Sequence, residues 1–242
     1  MRRSIPALFR KLGLGAGRCA VCGAVMTDGS QVLCDACAEE LPLRTGGLCP
    51  TCGAMSGRET DPPSQCSDCR LEPPPWNELY FHGPYAGRMR ELIIGYKFGN
   101  RYDRNRLLAT LGIEAFEARP GRTPDAVVPV PLHGRRLVWR GFNQSAEIAR
   151  GLARRLKLPL LLHGLERTRN TPPQTSFGFK ERQINIKGAF AANPARVEGR
   201  RVLLVDDVYT TGSTLRECAR TLRRAGCAAV DVLVLARTRR DL

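Results

Sequence analysis

Two groups of residues in this chain have the types and spacing to do chemistry. The first is Asp206-Asp207 followed by Thr210-Thr211-Gly212-Ser213-Thr214. The paired carboxylates close a continuous apolar run, Val202–Val205, that reads as a buried parallel strand. The turn after them opens a helix with Leu215, Cys218, Ala219 and Leu222 on its apolar face. Gly226 ends that helix, and Ala229–Leu235 reads as the next strand. Such a βαβ unit places its polar residues at the carboxyl edge of a sheet, where α/β proteins bind ligands. Hydroxyls and backbone N–H groups at a helix N-terminus make an anion site, and Gly212 lets the backbone approach a phosphate closely. Asp206 and Asp207 repel phosphate. They suit the two hydroxyls of a ribose, directly or through Mg2+. No Gly-Lys-[Ser/Thr] occurs here, so the turn is not a Walker A loop. The alternative, a solvated turn with an acidic helix cap, leaves four hydroxyl residues around a glycine without a purpose.

The second group is eight cysteines in four Cys-x-x-Cys pairs: Cys19/Cys22, Cys34/Cys37, Cys49/Cys52 and Cys66/Cys69. Each pair is a turn that aims two sulfurs at one metal, and two turns complete a tetrahedral cage. The spacing indicates Zn2+ at two structural sites. Four thiolates per site leave no open position for catalysis. Disulfides, redox dithiols and an iron–sulfur cluster are the competitors. The paired spacing and the absence of a Cys-x-x-Cys-x-x-Cys run disfavour the cluster. A segment this poor in large apolar residues needs the metal to fold. The simplest ligand pairing is sequential, with a cross-braced pairing left open. Gly23 and Gly53 follow two knuckles, where their N–H groups can turn toward the sulfurs. Cys218 and Cys227 stand apart and read as core residues.

Around these groups the chain divides into a lead-in (1–18), a double zinc ribbon (19–70) and an α/β domain (71–242). The stiff run Pro73-Pro74-Pro75 marks the boundary. Trp76–Tyr85 reads as a strand or hairpin. Met89, Leu92, Ile93 and Tyr96 give the spacing of an amphipathic helix. Val127–Val130 reads as a strand ended by Pro131, and Ala149, Leu152, Ala153 and Leu156 face the core from a later helix. Residues 164–190 are polar with little periodicity, a length of loop that is usually functional or disordered. The net charge of +15 is unevenly placed. Residues 1–70 hold eight Lys/Arg against seven Asp/Glu, leaving +14 on the remainder. That field attracts polyanions, whether phosphorylated small molecules or nucleic acid, unless it is only a solvated arginine-rich surface. No apolar run is long enough to span a bilayer and no secretory leader is evident, so a cytoplasmic protein without stable membrane insertion is expected.

The segment from Val202 to Thr214 resembles the phosphoribosyl-pyrophosphate motif of type I phosphoribosyltransferases. More of the chain resembles one branch, the ComF family, which includes competence and GntX-like proteins. The shared features are the double cysteine-paired ribbon, Tyr96-Lys97-Phe98, Val128–His133, Arg140–Gln144, Thr171–Thr175, Glu181–Asn185 and Gly188–Phe190. This resemblance implies a type I phosphoribosyltransferase fold, a parallel Rossmann-like sheet with a hood. It implies a phosphoribosyl-pyrophosphate site with Mg2+. Asp206 and Asp207 would fix the ribose, and Val205 with Thr210–Thr214 would bind the 5′-phosphate. Pro131, Leu132, His133, Arg135, Arg136, Arg140, Asn143 and Gln144 would line the pyrophosphate side. Arg167, Gln174, Arg182 and Asn185 would reach the ligand from the hood. In many purine-type relatives an acidic residue follows the acidic pair by three positions. Thr210 stands there here, so the motif supplies no evident general base and the acceptor is open. The resemblance also implies a part in natural competence, with single-stranded DNA and a helicase-like protein as partners. A ligand sensor without catalysis is the alternative.

Overall fold

The computed structural model describes residues 17–26, 32–99, 102–119, 121–169 and 186–239. Gln174, Arg182 and Asn185 lie outside them. The N-terminal part is built on the cysteine turns. Strands β1 (Gly17–Arg18) and β2 (Val25–Met26) pair antiparallel across the first knuckle. One-turn helices α1 (Asp35–Glu39) and α2 (Ser67–Leu71) each start directly after a cysteine.

The α/β part begins with β3 (Leu79–Pro84) and α3 (Gly87–Phe98). A 3-10 turn at Tyr102–Arg104 leads into α4 (Asn105–Glu117). Then come β4 (Ala126–Pro129), α5 (Gly134–Arg140), α6 (Gln144–Leu156), β5 (Leu165–Arg167), β6 (Phe190–Ala192) and α7 (Pro194–Val197). The chain closes with β7 (Arg201–Val205), β8 (Val208–Tyr209), α8 (Ser213–Arg224) and β9 (Ala229–Arg237). The main sheet runs β3-β9-β7-β4, all parallel, with β8 beside the end of β9. Alternation of side chains splits its core in two. Phe81, Val202, Leu204, Val232 and Val234 face α8, where Leu215, Cys218, Ala219 and Leu222 form the expected stripe. Tyr80, Leu203, Val205, Leu233 and Leu235 face α3, α4 and α6, which contribute Leu92, Ile93, Leu107, Leu111, Ala149 and Leu152. Helices therefore cover both faces, as a parallel sheet requires.

Two stretches differ from the sequence expectation. Among the described residues of 164–190 the chain is not all loop: β5 pairs antiparallel with β6, Arg167 opposite Phe190. Arg135 and Arg136 lie on the short helix α5, not on an open loop. His133 caps that helix, its Nδ1 accepting the Arg135 N–H at 3.3 Å.

Candidate functional site

The acidic pair sits where β7 ends. The Asp206 N–H donates to the Leu233 carbonyl (2.9 Å) and the Leu235 N–H to the Asp207 carbonyl (3.0 Å), so β9 pins the backbone of both residues. The side chains are treated differently. Asp206 Oδ1 accepts the Ser145 hydroxyl at 2.8 Å and the Asp207 N–H at 2.9 Å. Burial and the adjacent Asp207 carboxylate push the Asp206 carboxyl up to about 7, against the pull of Lys97 and Ser145. Asp207 is met by a cation: Lys97 Nζ lies 2.7 Å from its Oδ1, with the two side chains 19% and 7% exposed. Its Oδ2 is buried without a hydrogen-bond partner. That orphaned oxygen is placed for a ligand hydroxyl or a hard cation.

The hydroxyl turn closes the same cleft. Gly212 is the N-cap of α8 at φ +75°, and a Cβ there would fall 2.1 Å from Cε2 of Tyr209. Only glycine fits this turn. Thr211 Oγ1 lies 2.6 Å from Ser213 Oγ, which aligns hydroxyls and the first N–H groups of α8 around one spot. The cleft encloses about 280 Å3 and is lined by Lys97, Val130–Leu132, Arg136, Gln144, Ser145, Arg167, Asp206–Val208 and Thr210–Leu215. Three cations thus oppose two carboxylates. Burial, followed by the Arg136 guanidinium, lowers Arg167 to about 10. Arg136 is lowered by burial and by Arg140. Mutual repulsion of this kind is relieved by a bound anion.

Most of the expected site residues meet here: Pro131, Leu132, Arg136, Gln144, Asp206, Asp207 and Thr210–Thr214. Others make contacts within the fold. Val205 is a buried strand residue whose carbonyl accepts the Val130 N–H at 2.8 Å. Asn143 caps α6 through its Oδ1 and donates from Nδ2 to the Val130 carbonyl at 3.1 Å, holding the loop above the sheet. Arg140 donates to Gln144 Oε1 (2.8 Å) and lies over the Phe98 ring. Arg135 is exposed on α5 and His133 is the cap described above. Arg182 is outside the described residues. Lys97 and Ser145 join the site without having been singled out for it. They come from elements 110 and 61 residues away from their partners, and no local spacing announces them.

The cysteines form two clusters, Cys19/Cys22/Cys34/Cys37 and Cys49/Cys52/Cys66/Cys69, each with its sulfurs within 4.8 Å of one another. The pairing is sequential. Gly23 and Gly53 take left-handed backbone, and their N–H groups donate to the Cys19 and Cys49 carbonyls (2.9 and 2.7 Å), tightening each knuckle. In the second cage the hydrogen bond with Cys52 lowers the Cys49 thiol, while Cys52 is pushed up by the same contact and by burial. Crowding pulls these two thiols in opposite directions, a conflict that a dication taking the sulfurs as thiolates removes. The donor set therefore fits a metal.

Parallel sheet, two-sided helices and an acidic pair facing a hydroxyl-lined helix terminus define a type I phosphoribosyltransferase fold. Residues 143–242 match the phosphoribosyl transferase domain family. Over nearly the whole chain the protein is similar to DNA utilization protein YhgH of Escherichia coli K12: 37% identity over 227 residues, covering 92% of this chain and 97% of that one. Competence protein F of Haemophilus influenzae is 32% identical over 226 residues (91% and 96% covered), and competence protein ComFC of Bacillus subtilis 29% over 217 (82% and 81%). The chain belongs to the ComF family.

Proposed function

We propose that the cleft binds phosphoribosyl pyrophosphate with Mg2+ and that the protein serves DNA utilization or uptake in the cytoplasm, with Zn2+ in both cysteine cages. One observation carries the ligand reading. The Asp206–Asp207 pair and the Thr210–Thr214 helix terminus line one cleft, with Arg136 and Arg167 on its walls. Asp206 and Asp207 accept the ribose hydroxyls. Thr210–Thr214 take the 5′-phosphate, and the guanidinium groups of Arg136 and Arg167 suit a diphosphate. Asp207 Oδ2, buried without a partner, and the Asp206 carboxylate would hold Mg2+, which when bound neutralises charge on the diphosphate. Transfer of the phosphoribosyl group would then rest on positioning and electrostatics. Among the described residues lining the cleft, Asp206 and Asp207 are the only carboxylates and no histidine is present. Asp206, raised to about 7, is then the described lining group whose ionisation suits a base, and an acceptor that is already a competent nucleophile needs none. Calorimetric titration of the full chain with the Mg2+ complex, beside Asp206→Asn/Asp207→Asn, tests the site. Binding is expected in the parent and lost in the double variant; no binding to the folded parent rejects the reading. Pyrophosphate release on addition of candidate acceptors separates a transferase from a sensor.

A second reading, a single-stranded nucleic-acid surface, is favoured by α5. It exposes Val138 (86%) and Trp139 (75%) beside Arg135, close to the exposed Phe98. Exposed aromatic faces interleaved with arginines are the usual platform for bases and phosphates. This reading and the first are compatible, since α5 borders the cleft. Loss of DNA binding in Trp139→Ala with ligand binding retained would separate the two.

A further inference from the structure

The second cysteine cage packs against β3 and the end of β9, behind the ring of Tyr209. Three consecutive carbonyls of its first knuckle are spent outside it. Pro50 accepts the Leu79 N–H (3.0 Å), Thr51 accepts Trp76 Nε1–H (2.6 Å) and Cys52 accepts Arg237 Nε–H (2.5 Å). A Cβ on Gly53 would strike Leu79, Arg237 and Phe81 at 2.7–3.0 Å, so nothing separates the knuckle from these side chains. Arg237 is 1% exposed, and its guanidinium lies 4.6 Å over the ring of Tyr209. Tyr209 pairs with Arg237 across β8 and β9. Its carbonyl accepts the Thr238 N–H at 3.0 Å, and its ring meets Trp76 edge-on. That same ring fills the space beside Gly212. An unbroken series of buried contacts therefore runs from Cys52 through Arg237 and Tyr209 to the turn Thr210–Thr214. Among the described residues the first cage shows no such line. It packs through Ala20, Val21, Val32 and Leu33 against the opposite face of the sheet.

We propose that the second cage and the phosphate turn are thermodynamically coupled through Arg237 and Tyr209, so that metal in that cage and an anionic ligand at the turn stabilise each other. The physical basis is that a filled cage fixes the Cys52 carbonyl, which fixes a guanidinium that has no water to turn to. The guanidinium holds the ring against which the turn is moulded. Emptying the cage frees the knuckle, and the turn loses the wall that sets its curvature. Coupling of this kind is reciprocal: what metal does for ligand affinity, ligand does for metal retention. Arg237 is here a positioning residue, remote from the reacting atoms.

The test reads metal retention and does not depend on activity. The zinc-loaded full chain is challenged with excess chelator, and pulses of alkylating reagent followed by mass spectrometry report which cysteines have lost metal. The ligand arm rests on the phosphoribosyl-pyrophosphate reading, and uses that compound with Mg2+, and inorganic phosphate alone. Bound ligand is expected to slow alkylation of Cys49 and Cys52 by about tenfold, a coupling within the usual range, while leaving Cys19 and Cys22 unchanged. Arg237→Met and Tyr209→Leu should abolish that protection. Equal protection of both cages, none despite calorimetric binding, or full protection in both variants overturns the coupling. If calorimetry shows no binding of phosphoribosyl pyrophosphate, the functional reading falls, and the coupling is then decided without it. In the ligand-free protein, Arg237→Met should lose metal faster from the second cage only. Unchanged loss, or equal acceleration in both cages, overturns it.

Discussion

Replacing Lys97 by Met removes the cation that contacts Asp207 and leaves that carboxylate almost wholly withdrawn from water. The pair is short, 2.7 Å, and Asp207 is 7% exposed. Breaking a buried pair by deleting one partner costs about 3–5 kcal/mol. Lys97 keeps 19% of its side chain in solvent, so water can reach the vacated place, and a loss of about 2–3 kcal/mol is expected. In a chain of this length that lowers Tm by about 4–12 °C. Asp207→Asn should cost less, about 1 kcal/mol, because it also removes the carboxylate that opposes Asp206, and Lys97 can turn outward. In the double variant both charges are gone, and the two losses should fall short of additivity by about 1.5 kcal/mol or more. Urea unfolding of the four proteins, followed by the fluorescence of buried Trp76 in a Trp139→Phe background, measures the cycle. Stability of Lys97→Met within about 0.5 kcal/mol of the parent, together with strict additivity, would show that the contact contributes nothing and that the electrostatic account of the pair is wrong.

Gly212→Ala forces a side chain into left-handed backbone and against the Tyr209 ring. The two penalties sum to about 2–5 kcal/mol, read by thermal unfolding, and a loss under about 0.5 kcal/mol would refute the moulded turn. Asp206→Asn should change the pH dependence of stability. The folded carboxyl is raised from 3.8 to about 7, so its favourable contribution is complete below about pH 4 and is lost as pH rises through about 7. Asp206→Asn should therefore gain on the parent across that interval, by about 2 kcal/mol after allowance for partial solvent access, with no further change above it. A gap independent of pH between 4 and 8 would show that Asp206 ionises normally.

Much of this architecture was legible because it is periodic or locally spaced. Met89, Leu92, Ile93 and Tyr96 are all buried on α3, and Val202–Val205 is the central strand it resembles. The cages follow from Cys-x-x-Cys spacing alone. Helix α5 was not legible because none of its residues is buried, so no periodicity exists to detect. Asn143 and His133 were expected at the ligand, and both turn out to cap helices. A polar residue before a helix in a binding loop serves either purpose, and only the positions of the donors, the Ser145 and Arg135 N–H groups, decide. Lys97 illustrates the opposite failure. At the end of an amphipathic helix it looks like any solvated lysine, and only the packing of α3 on the sheet carries its ammonium to Asp207. The arrangement of the cages against the α/β part was equally hidden, since carbonyl acceptors at Pro50, Thr51 and Cys52 have no sequence signature.

The basic charge of residues 71–242 gains a different meaning once its arginines are located. Arg119 donates to the Leu79 carbonyl and covers the Tyr80 ring. Arg201 pairs with Asp231 at 2.8 Å, Arg223 holds Asn77, and Arg237 holds Cys52. Arg104 donates to the carbonyls of Glu91 and Leu92, and Arg88 bridges Glu40 and Glu91. These guanidinium groups close strand and helix ends within the fold. Arg136 and Arg167 are committed to the cleft walls. What remains beside the exposed Trp139 is the small basic face of α5, from Arg135 to Arg140. One to two phosphates neutralised there give a salt dependence of single-stranded DNA binding with a slope of about −1 in log K against log salt. A field spread over the whole +14 would give a slope several times steeper. Fluorescence anisotropy with a labelled oligonucleotide across a salt series distinguishes the two. A steep slope, or one indifferent to Trp139→Ala, would move the contact off α5 and return the arginine excess to a general electrostatic role.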